Sequence, residues 1–272
     1  MPNNGLRPCD LPDFHNPPLK EVVVGIQFAT PKEYQQIYAA KVWELFDREY
    51  PKVEEHSSLP PSFETFGLPS GQPGLNLLVG PVHNRYWFLS PDGDEAVQFQ
   101  RDRLLHNWRK VGDGQNVYPR FESMIQRFQD EVERFQAYVN RLSTQVLIIN
   151  QCEVSYINQI EPSPGEELKA PDWIQFLRFS RHKEPDDFSI VLREVIRDSN
   201  GKPYARFVCE TAIGVKADQQ KIIQLTLTVR GSPEGKGIDS AFEFLSKGRE
   251  LIVHRFAELT TDAAHQKWER VQ

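Results

Sequence analysis

Arginines and aromatic residues cluster near the middle of the chain, between Glu95 and Leu142. The cluster comprises Arg101, Arg103, Trp108, Arg109, Tyr118 and Arg120. Guanidinium groups hold carboxylates and phosphates through paired hydrogen bonds, and aromatic faces can stack on a base. Alternation along a predicted strand from Val97 to Arg103 would place Arg101 and Arg103 on one face of a sheet. We therefore predict a ligand-binding or partner-binding site in this stretch.

A structural interpretation of the same residues stays open. Arginines on a strand can pair with acidic residues on the sheet face, and Trp108 can pack beneath the following helix. The arginines are still the best candidate site, because guanidinium groups on an inward sheet face need partners.

Two smaller sets could also carry chemistry. Asp262 and His265 are three residues apart, so on one helical face the carboxylate could orient the imidazole for proton transfer. The simpler alternative is that Thr261 caps a short helix, and that His265 and Trp268 dock the end of the chain. Glu21 is either a catalytic carboxylate or one half of a salt bridge at a strand edge.

No nucleophile–base, phosphate-loop or metal-ligand motif accompanies these residues. The histidines lack the spacing of a metal site, and Cys9, Cys152 and Cys209 form neither a disulfide framework nor a zinc pattern. We therefore expect no metal and no cofactor, and we favour a binding protein over an enzyme. Cys152 and Cys209 lie in apolar strands and are expected to be buried.

The charge and the apolar runs restrict the partners and the compartment. A formal net charge of −6 over 272 residues disfavours nucleic acid and anionic membranes, because both attract positive proteins. The sequence has no apolar run of the roughly 18 residues that a membrane span needs. Its first residues also lack the apolar core of a secretion signal. These features predict a cytoplasmic protein.

Hydrophobic periodicity divides the chain into three segments. Residues 1–18 are proline-rich and predict an extended arm. Residues 19–142 and 143–272 each contain a strand, a helix, several antiparallel strands and a long helix, in that order. We therefore predict an α+β protein of two similar halves that form one compact unit. Each half would be an antiparallel sheet covered on one face by long helices.

Local patterns in the first half predict the elements around Glu21. Apolar and β-branched residues predict a strand from Leu19 to Phe28. Thr30 to Glu33 predicts a capped helix start, and Pro51 ends that helix. Residues 53–74 are predicted to be a long loop, and Leu75 to Val79 a strand. Apolar residues at helical spacing predict a long helix after Pro119.

In the second half the predicted strands are Val146 to Ile160, Phe188 to Arg197, Tyr204 to Val215 and Ile222 to Val229. A short helix is predicted within Glu166 to Phe179. Ser240 and Glu243 predict a capping box at the start of a second long helix.

Several segments together resemble a known family. The segments are Pro18-Leu19-Lys20-Glu21-Val22, Gln100-Arg101-Asp102-Arg103, Asn107-Trp108-Arg109, Tyr118-Pro119-Arg120, and Leu259-Thr260-Thr261 with His265 and Trp268. In this order they resemble a sporadically distributed bacterial family of uncharacterised proteins, and the resemblance spans nearly the whole chain. It implies no particular activity. Its patchy occurrence implies accessory genes, such as toxin–antitoxin or phage-defence cassettes.

We expect a non-catalytic binding or interaction protein. Its partner would be another protein, for which the product of a neighbouring gene is the first candidate, and a homo-oligomer is compatible with the sequence. The alternative is a domain that senses a small anionic ligand or a nucleotide through the central arginines and aromatic residues. An enzyme that uses His265 or Glu21 is the least favoured hypothesis.

Overall fold

The computed structural model describes residues 8, 10–67, 83–112, 114–142, 146–163, 165–177, 185–235 and 237–271. Nine strands in these ranges form an antiparallel sheet. They are β1 Leu19–Phe28, β2 Lys52–Ser57, β3 Asn84–Leu89, β4 Glu95–Gln100, β5 Arg103–Arg109, β6 Ile149–Ile160, β7 Ser189–Arg197, β8 Pro203–Val215 and β9 Lys221–Gly231. Their order across the sheet is β2-β3-β4-β5-β1-β6-β9-β8-β7.

The sheet is continuous through the middle of the chain, because β1 pairs with both β5 and β6. The expectation of a separate sheet in each half is therefore wrong. Val24 of β1 lies opposite Val154 of β6, and the apolar run of β1 suits a strand that is buried on both faces. A Cβ atom on Gly25 would collide with the end of the Leu105 side chain, so a larger residue here would require Leu105 to move.

The helices are α1 Ala39–Trp43, α2 Phe121–Leu142, α3 Ile238–Leu259 and α4 Asp262–Lys267. Phe135 of α2 lies with its ring centre 5.2 Å from that of Phe28 and 5.6 Å from that of Phe99. Gly248 of α3 approaches β9 so closely that a Cβ atom would lie 3.3 Å from a methyl carbon of Val229. Strand side chains alternate between two sides. We call the side with Phe28, Phe99 and Val229 the helix face, and the opposite side the open face.

Several local predictions for the first half are wrong. Thr30 does not start a helix, because the first helical turn is at Gln36–Tyr38 and α1 begins only at Ala39. The predicted loop of residues 53–74 contains most of β2, which is extended because it pairs with β3. Arg101 forms a turn with Asp102, and this turn divides the predicted strand into β4 and β5. The strand predicted from Leu75 to Val79 lies outside the described residues.

In the second half, β6 to β9 follow the predicted strands closely. The short helix is reduced to a 3-10 turn at Ala170–Asp172. Ser240 and Glu243 do not cap α3, because the helix begins at Ile238 with Gly237 as its N-cap. Thr261 does cap α4, since its side chain accepts a hydrogen bond from the backbone N–H of Ala264 at 3.1 Å.

Candidate functional site

The open face carries buried polar side chains, which are costly unless they find hydrogen-bond partners. The buried polar residues of this face are Gln27, Gln98, Gln100, Asn107, Gln151, Ser155 and Arg206. The hydrogen-bond partners of these side chains therefore indicate what kind of ligand the open face can bind.

Residues 58–67, which we call the strap, cross the open face and supply several of these partners. Gln100 accepts from the backbone N–H of Leu59 and donates to its carbonyl, both at 3.0 Å. The Ser62 N–H donates to the Gln27 side-chain oxygen at 3.0 Å. The sheet thus binds an extended segment of its own chain largely through backbone groups.

The strap also delivers a carboxylate to two arginines. Arg206 donates from Nε to Glu64 at 2.7 Å, and Arg230 donates to the other Glu64 oxygen from Nε at 2.9 Å and from a terminal nitrogen at 2.8 Å. Arg206 also donates to the carbonyl of Thr65 at 2.8 Å. Only 9% of the Glu64 side chain is exposed. Such charge-assisted bonds are among the stronger ones in proteins, so this pair of arginines forms a carboxylate clamp.

A cavity of about 300 Å³ lies between the strap and β7, β8 and β9. This volume reaches the lower end of the range for ligand pockets. The clamp arginines, Phe63, Arg193, Val208, Glu210 and Thr228 are among its lining residues. Arg193 is exposed, and its side chain has no hydrogen bond or ion pair with any residue that the structure describes. One permanently charged donor in the cavity is therefore available to a ligand.

At the other end of the open face, two arginines contact a tryptophan. The Arg85 guanidinium carbon lies 5.6 Å from the centre of the Trp87 ring, and that of Arg109 lies 5.4 Å from it. These are cation–π distances.

A chain of hydrogen bonds runs beside this tryptophan. Arg85 donates to Gln98 at 3.1 Å, Gln98 donates to Asn107 at 2.9 Å, and Asn107 donates to Glu21. Burial raises the pKa of Glu21, while the bond from Asn107 and the charge of Arg109 lower it. Glu21 therefore lies in a fixed polar network.

Arg103 lies between the two ends, beneath the strap. It donates to Gln27 at 2.7 Å and to the carbonyl of Pro60 at 3.2 Å. Burial lowers the pKa of Arg103, although the charges of Glu153 and Asp102 partly oppose that shift. Burial also lowers the pKa of Arg85, and the charge of Arg103 adds to it. The charges of Arg85 and Arg103 therefore interact on the open face.

The predicted arginine–aromatic cluster is divided between the two faces. Arg103 and Arg109 lie on the open face with Trp87, whereas Arg101 lies in the turn between β4 and β5. Trp108 is adjacent to Arg109 in a strand, so its side chain points to the helix face. It is buried there, with its ring centre 5.0 Å from that of Tyr118.

Tyr118 and Arg120 also lie away from the open face. The Tyr118 hydroxyl is 3.1 Å from that of Tyr156. Arg120 has a positive φ of 70° and donates to Asp13 of the arm at 2.9 Å. Trp108, Tyr118 and Arg120 of the predicted cluster therefore pack against the arm and the start of α2.

The C-terminal set forms a packing cluster. His265 is buried, its Nε2 lies 2.8 Å from the Thr260 hydroxyl, and Nδ1 lies 4.0 Å from Asp262. Trp268 stacks on Phe256 with 5.3 Å between ring centres. The Asp262 side chain is 98% exposed, so it does not hold the imidazole in a closed site. These contacts favour the docking interpretation.

A buried triad also joins α2 to the sheet. Glu131 lies 3.0 Å from His106 Nδ1 and accepts from the Tyr50 hydroxyl at 2.7 Å. Both Glu131 and His106 are 0% exposed. A substrate cannot reach a pair that is sealed in this way, so we assign it to stability.

Sequence reasoning missed the clamp and Trp87. Arg206 and Arg230 lie in different strands and meet because they are directly opposite each other in the β8–β9 register. Glu64 lies in a segment without periodicity, so nothing in the sequence indicated it. Trp87 is two residues from Arg85, a spacing that places both side chains on one face of a strand.

Comparison with known proteins gives no further assignment, because no family model, curated protein or solved structure matches this chain. Within the described ranges, no three His, Cys, Asp or Glu side chains are grouped as metal ligands. No helix in those ranges is long and apolar enough to cross a membrane.

Proposed function

We propose that this chain is a non-catalytic binding protein that holds an acidic, extended segment of a partner protein in the cavity between the strap and β7–β9. The carrying observation is the strap itself. Its Glu64 carboxylate occupies the Arg206–Arg230 clamp while the sheet hydrogen-bonds its backbone. A partner segment beside the strap would meet the same type of surface, with Arg193 as its first charged contact.

Binding is favoured over catalysis by the chemistry of the side chains. The open face holds arginines, amides and paired carboxylates, and guanidinium groups stay protonated, so they do not exchange protons with a substrate. Glu21 is hydrogen-bonded to Asn107 and lies near Arg109. Its place in that network supports a structural role.

A small anion or nucleotide is the alternative ligand. The arginines would suit a phosphate, but Trp87 is already contacted by two guanidinium groups. A base would have to displace one of them to stack there. The cavity beside Arg193 has Phe63 as an aromatic lining residue, but two of its arginines are already held by Glu64. We therefore favour the peptide.

The resemblance to a family of accessory genes makes the product of a neighbouring gene the first partner to test, and a cytoplasmic location remains part of the proposal. The fold adds support for a duplicated origin. The orders β1-β5-β4-β3 and β6-β9-β8-β7 correspond, and each half ends in a helix of 22 residues. We propose that the halves derive from one unit with its long helices on one face.

The test is fluorescence anisotropy with a short labelled peptide of alternating glycine and glutamate, with a glycine–lysine peptide as the probe of opposite charge. Arg193→Ala should weaken binding of the acidic peptide about tenfold, which is the loss of one hydrogen bond between charged groups. Arg141→Ala is the matched control, because Arg141 is an exposed arginine of α2, the helix that packs on the opposite side of the sheet.

The proposal predicts that binding weakens with salt, since the contact is between exposed charges. Equal affinity for the two peptides, or equal affinity of wild type and Arg193→Ala, would contradict it. ATP and free glutamate can each be tested for displacement of the acidic peptide. Displacement by ATP at a lower concentration than by glutamate would favour the nucleotide alternative instead.

A further inference from the structure

A second cavity, on the helix face, is bounded by the N-terminal arm, β6 and α3. We call it the arm pocket, and its volume is about 70 Å³. Its apolar wall includes Phe14, Leu19, Phe121, Leu227, Ile252 and Phe256. It is distinct from the open-face cavity, because these residues pack on the other side of the sheet.

Besides Asp13, Arg120 and Asn158, the polar residues that line this pocket are Tyr118, Tyr156 and Arg249. Tyr118 and Tyr156 line the pocket with their hydroxyls 3.1 Å apart. Arg249 of α3 also lines it and is only 3% exposed. One terminal nitrogen of Arg249 donates to Glu122 at 2.8 Å, and the guanidinium lies 5.3 Å from the centre of the Phe121 ring.

Tyr118, Tyr156 and Arg249 together contain more hydrogen-bond donors than acceptors. The two tyrosines carry two hydroxyl protons, and only one of those protons can lie between the two oxygens. Whichever tyrosine donates, the other proton has no acceptor among the described residues. The Nε–H of Arg249 is also buried without an acceptor there. The buried Arg249 donor calls for an acceptor, and the two hydroxyls beside it are half-buried.

The charges near the pocket balance. Arg249 is paired with Glu122, and Arg120 is paired with Asp13. The surplus donors therefore call for an oxygen acceptor, which can be neutral or anionic. Burial raises the pKa of both Tyr118 and Tyr156, so both phenols keep their protons at neutral pH.

The volume limits the size of the ligand. A water needs roughly 10–15 Å³ on this measure, so about 70 Å³ accommodates roughly five or six non-hydrogen atoms. We propose that the arm pocket binds a small molecule with a carboxylate or carbonyl oxygen on a short, branched apolar body. The oxygen would accept from the tyrosine pair and Arg249 Nε, and the body would contact Phe14 and Ile252.

The test is protein-observed NMR titration with isobutyrate, isobutyramide and isobutylamine, which share a body and differ in the polar group. We expect isobutyrate or isobutyramide to shift amide signals at the start of α2 and around Arg249 in a saturable way, and isobutylamine not to do so. The double variant Tyr118→Phe, Tyr156→Phe should bind about fivefold or more weakly, since a net hydrogen bond is worth about 1 kcal/mol.

Tyr204→Phe is the matched control, because Tyr204 lines a different cavity and should leave affinity unchanged. The double variant also removes the Tyr156 hydroxyl that Arg249 contacts, so the thermal midpoint checks that it is folded. The proposal fails if none of the probes shifts these signals, if isobutylamine binds as well as the oxygen ligands, or if the double variant binds equally. The peptide assay with Arg193→Ala is independent of all these outcomes.

Discussion

At the residue scale, the arginines of the open face differ in how their charge is compensated. Arg206 and Arg230 share the Glu64 carboxylate. Arg103 instead donates to an amide and a backbone carbonyl, and has no carboxylate within salt-bridge distance among the described residues. Because a guanidinium cannot lose its proton to escape burial, Arg103 favours the approach of an anion, whereas the charge of the clamp is already compensated by Glu64.

The Tyr50–Glu131–His106 triad gives the first stability prediction. Glu131→Gln should lower the free energy of unfolding by about 1–3 kcal/mol, because hydrogen bonds to a buried charged group are replaced by weaker ones. Urea unfolding measures this change. Glu133→Gln, two positions along α2 on its exposed side, should stay within about 0.5 kcal/mol of wild type. A Glu131→Gln protein as stable as Glu133→Gln would show that the triad contributes nothing.

At the element scale, the arm and α4 hold each other in place. The arm forms a bridge between Phe14 and Arg270, and the Asn16 N–H donates to the carbonyl of Trp268 at 3.1 Å. The Phe14 ring centre lies 5.3 Å from that of His265. Since the arm is also one wall of the arm pocket, docking of α4 affects the pocket.

His265 should make this docking sensitive to acid. Burial lowers its pKa, the charge of Arg270 lowers it further, and Asp262 partly opposes them. A depressed histidine pKa means that the unfolded chain binds the proton more readily. The stability that neutral His265 contributes is therefore present above the ordinary histidine pKa of about 6.5. It is lost as the pH falls through the lower pKa that His265 has in the folded protein.

We expect the free energy of unfolding to fall less between about pH 7 and about pH 5 in His265→Gln than in wild type. His254→Gln, which changes an exposed histidine of α3, should keep the wild-type slope. Hydrogen exchange of the α4 amides locates the effect. If wild type and His265→Gln had identical pH slopes, His265 would not be the cause of the acid sensitivity.

At the scale of the whole molecule, the β1–β6 pairing joins the halves into one sheet, and the described part of the arm meets the C-terminal segment. The Val271 N–H donates to the carbonyl of Asp13 at 2.9 Å. The segment before Asp13 could therefore serve as a linker from Val271 without disturbing the sheet.

We consider a circular permutant that opens between Ser143 and Thr144 and joins Gln272 to Met1. It should fold with a thermal midpoint within about 4 °C of wild type. For a domain of this size, that shift corresponds to a change of roughly 1 kcal/mol in the free energy of unfolding. Every described strand pairing is kept in it. A permutant opened between Ser155 and Tyr156, within β6, is the control and should not fold. An unfolded Ser143–Thr144 permutant would contradict the view that the halves are equivalent units.

The sequence by itself determined the elements whose pattern is local and long. The 3.6-residue spacing after Pro119 defines α2, alternation defines most of β9, and Thr261 marks the start of α4. Burial of Cys152 and Cys209 also follows from their apolar neighbours, and the structure confirms it. These features are local because backbone hydrogen bonding and side-chain period act over a few residues.

Only the tertiary structure decided which chemical groups meet. The turn at Arg101 and Asp102 determines which side chains of β5 point to each face of the sheet. Arg109 therefore lies beside Trp87 on the open face, and Trp108 lies on the opposite face. Glu64 reaches Arg206 across 142 residues of chain. Such contacts depend on strand register and on the path of a non-periodic loop, and a shift of one residue in register would reverse every side chain. The candidate sites therefore emerged from the long-range pairing of strands, while the second-half strands and the two long helices were already present in the local pattern.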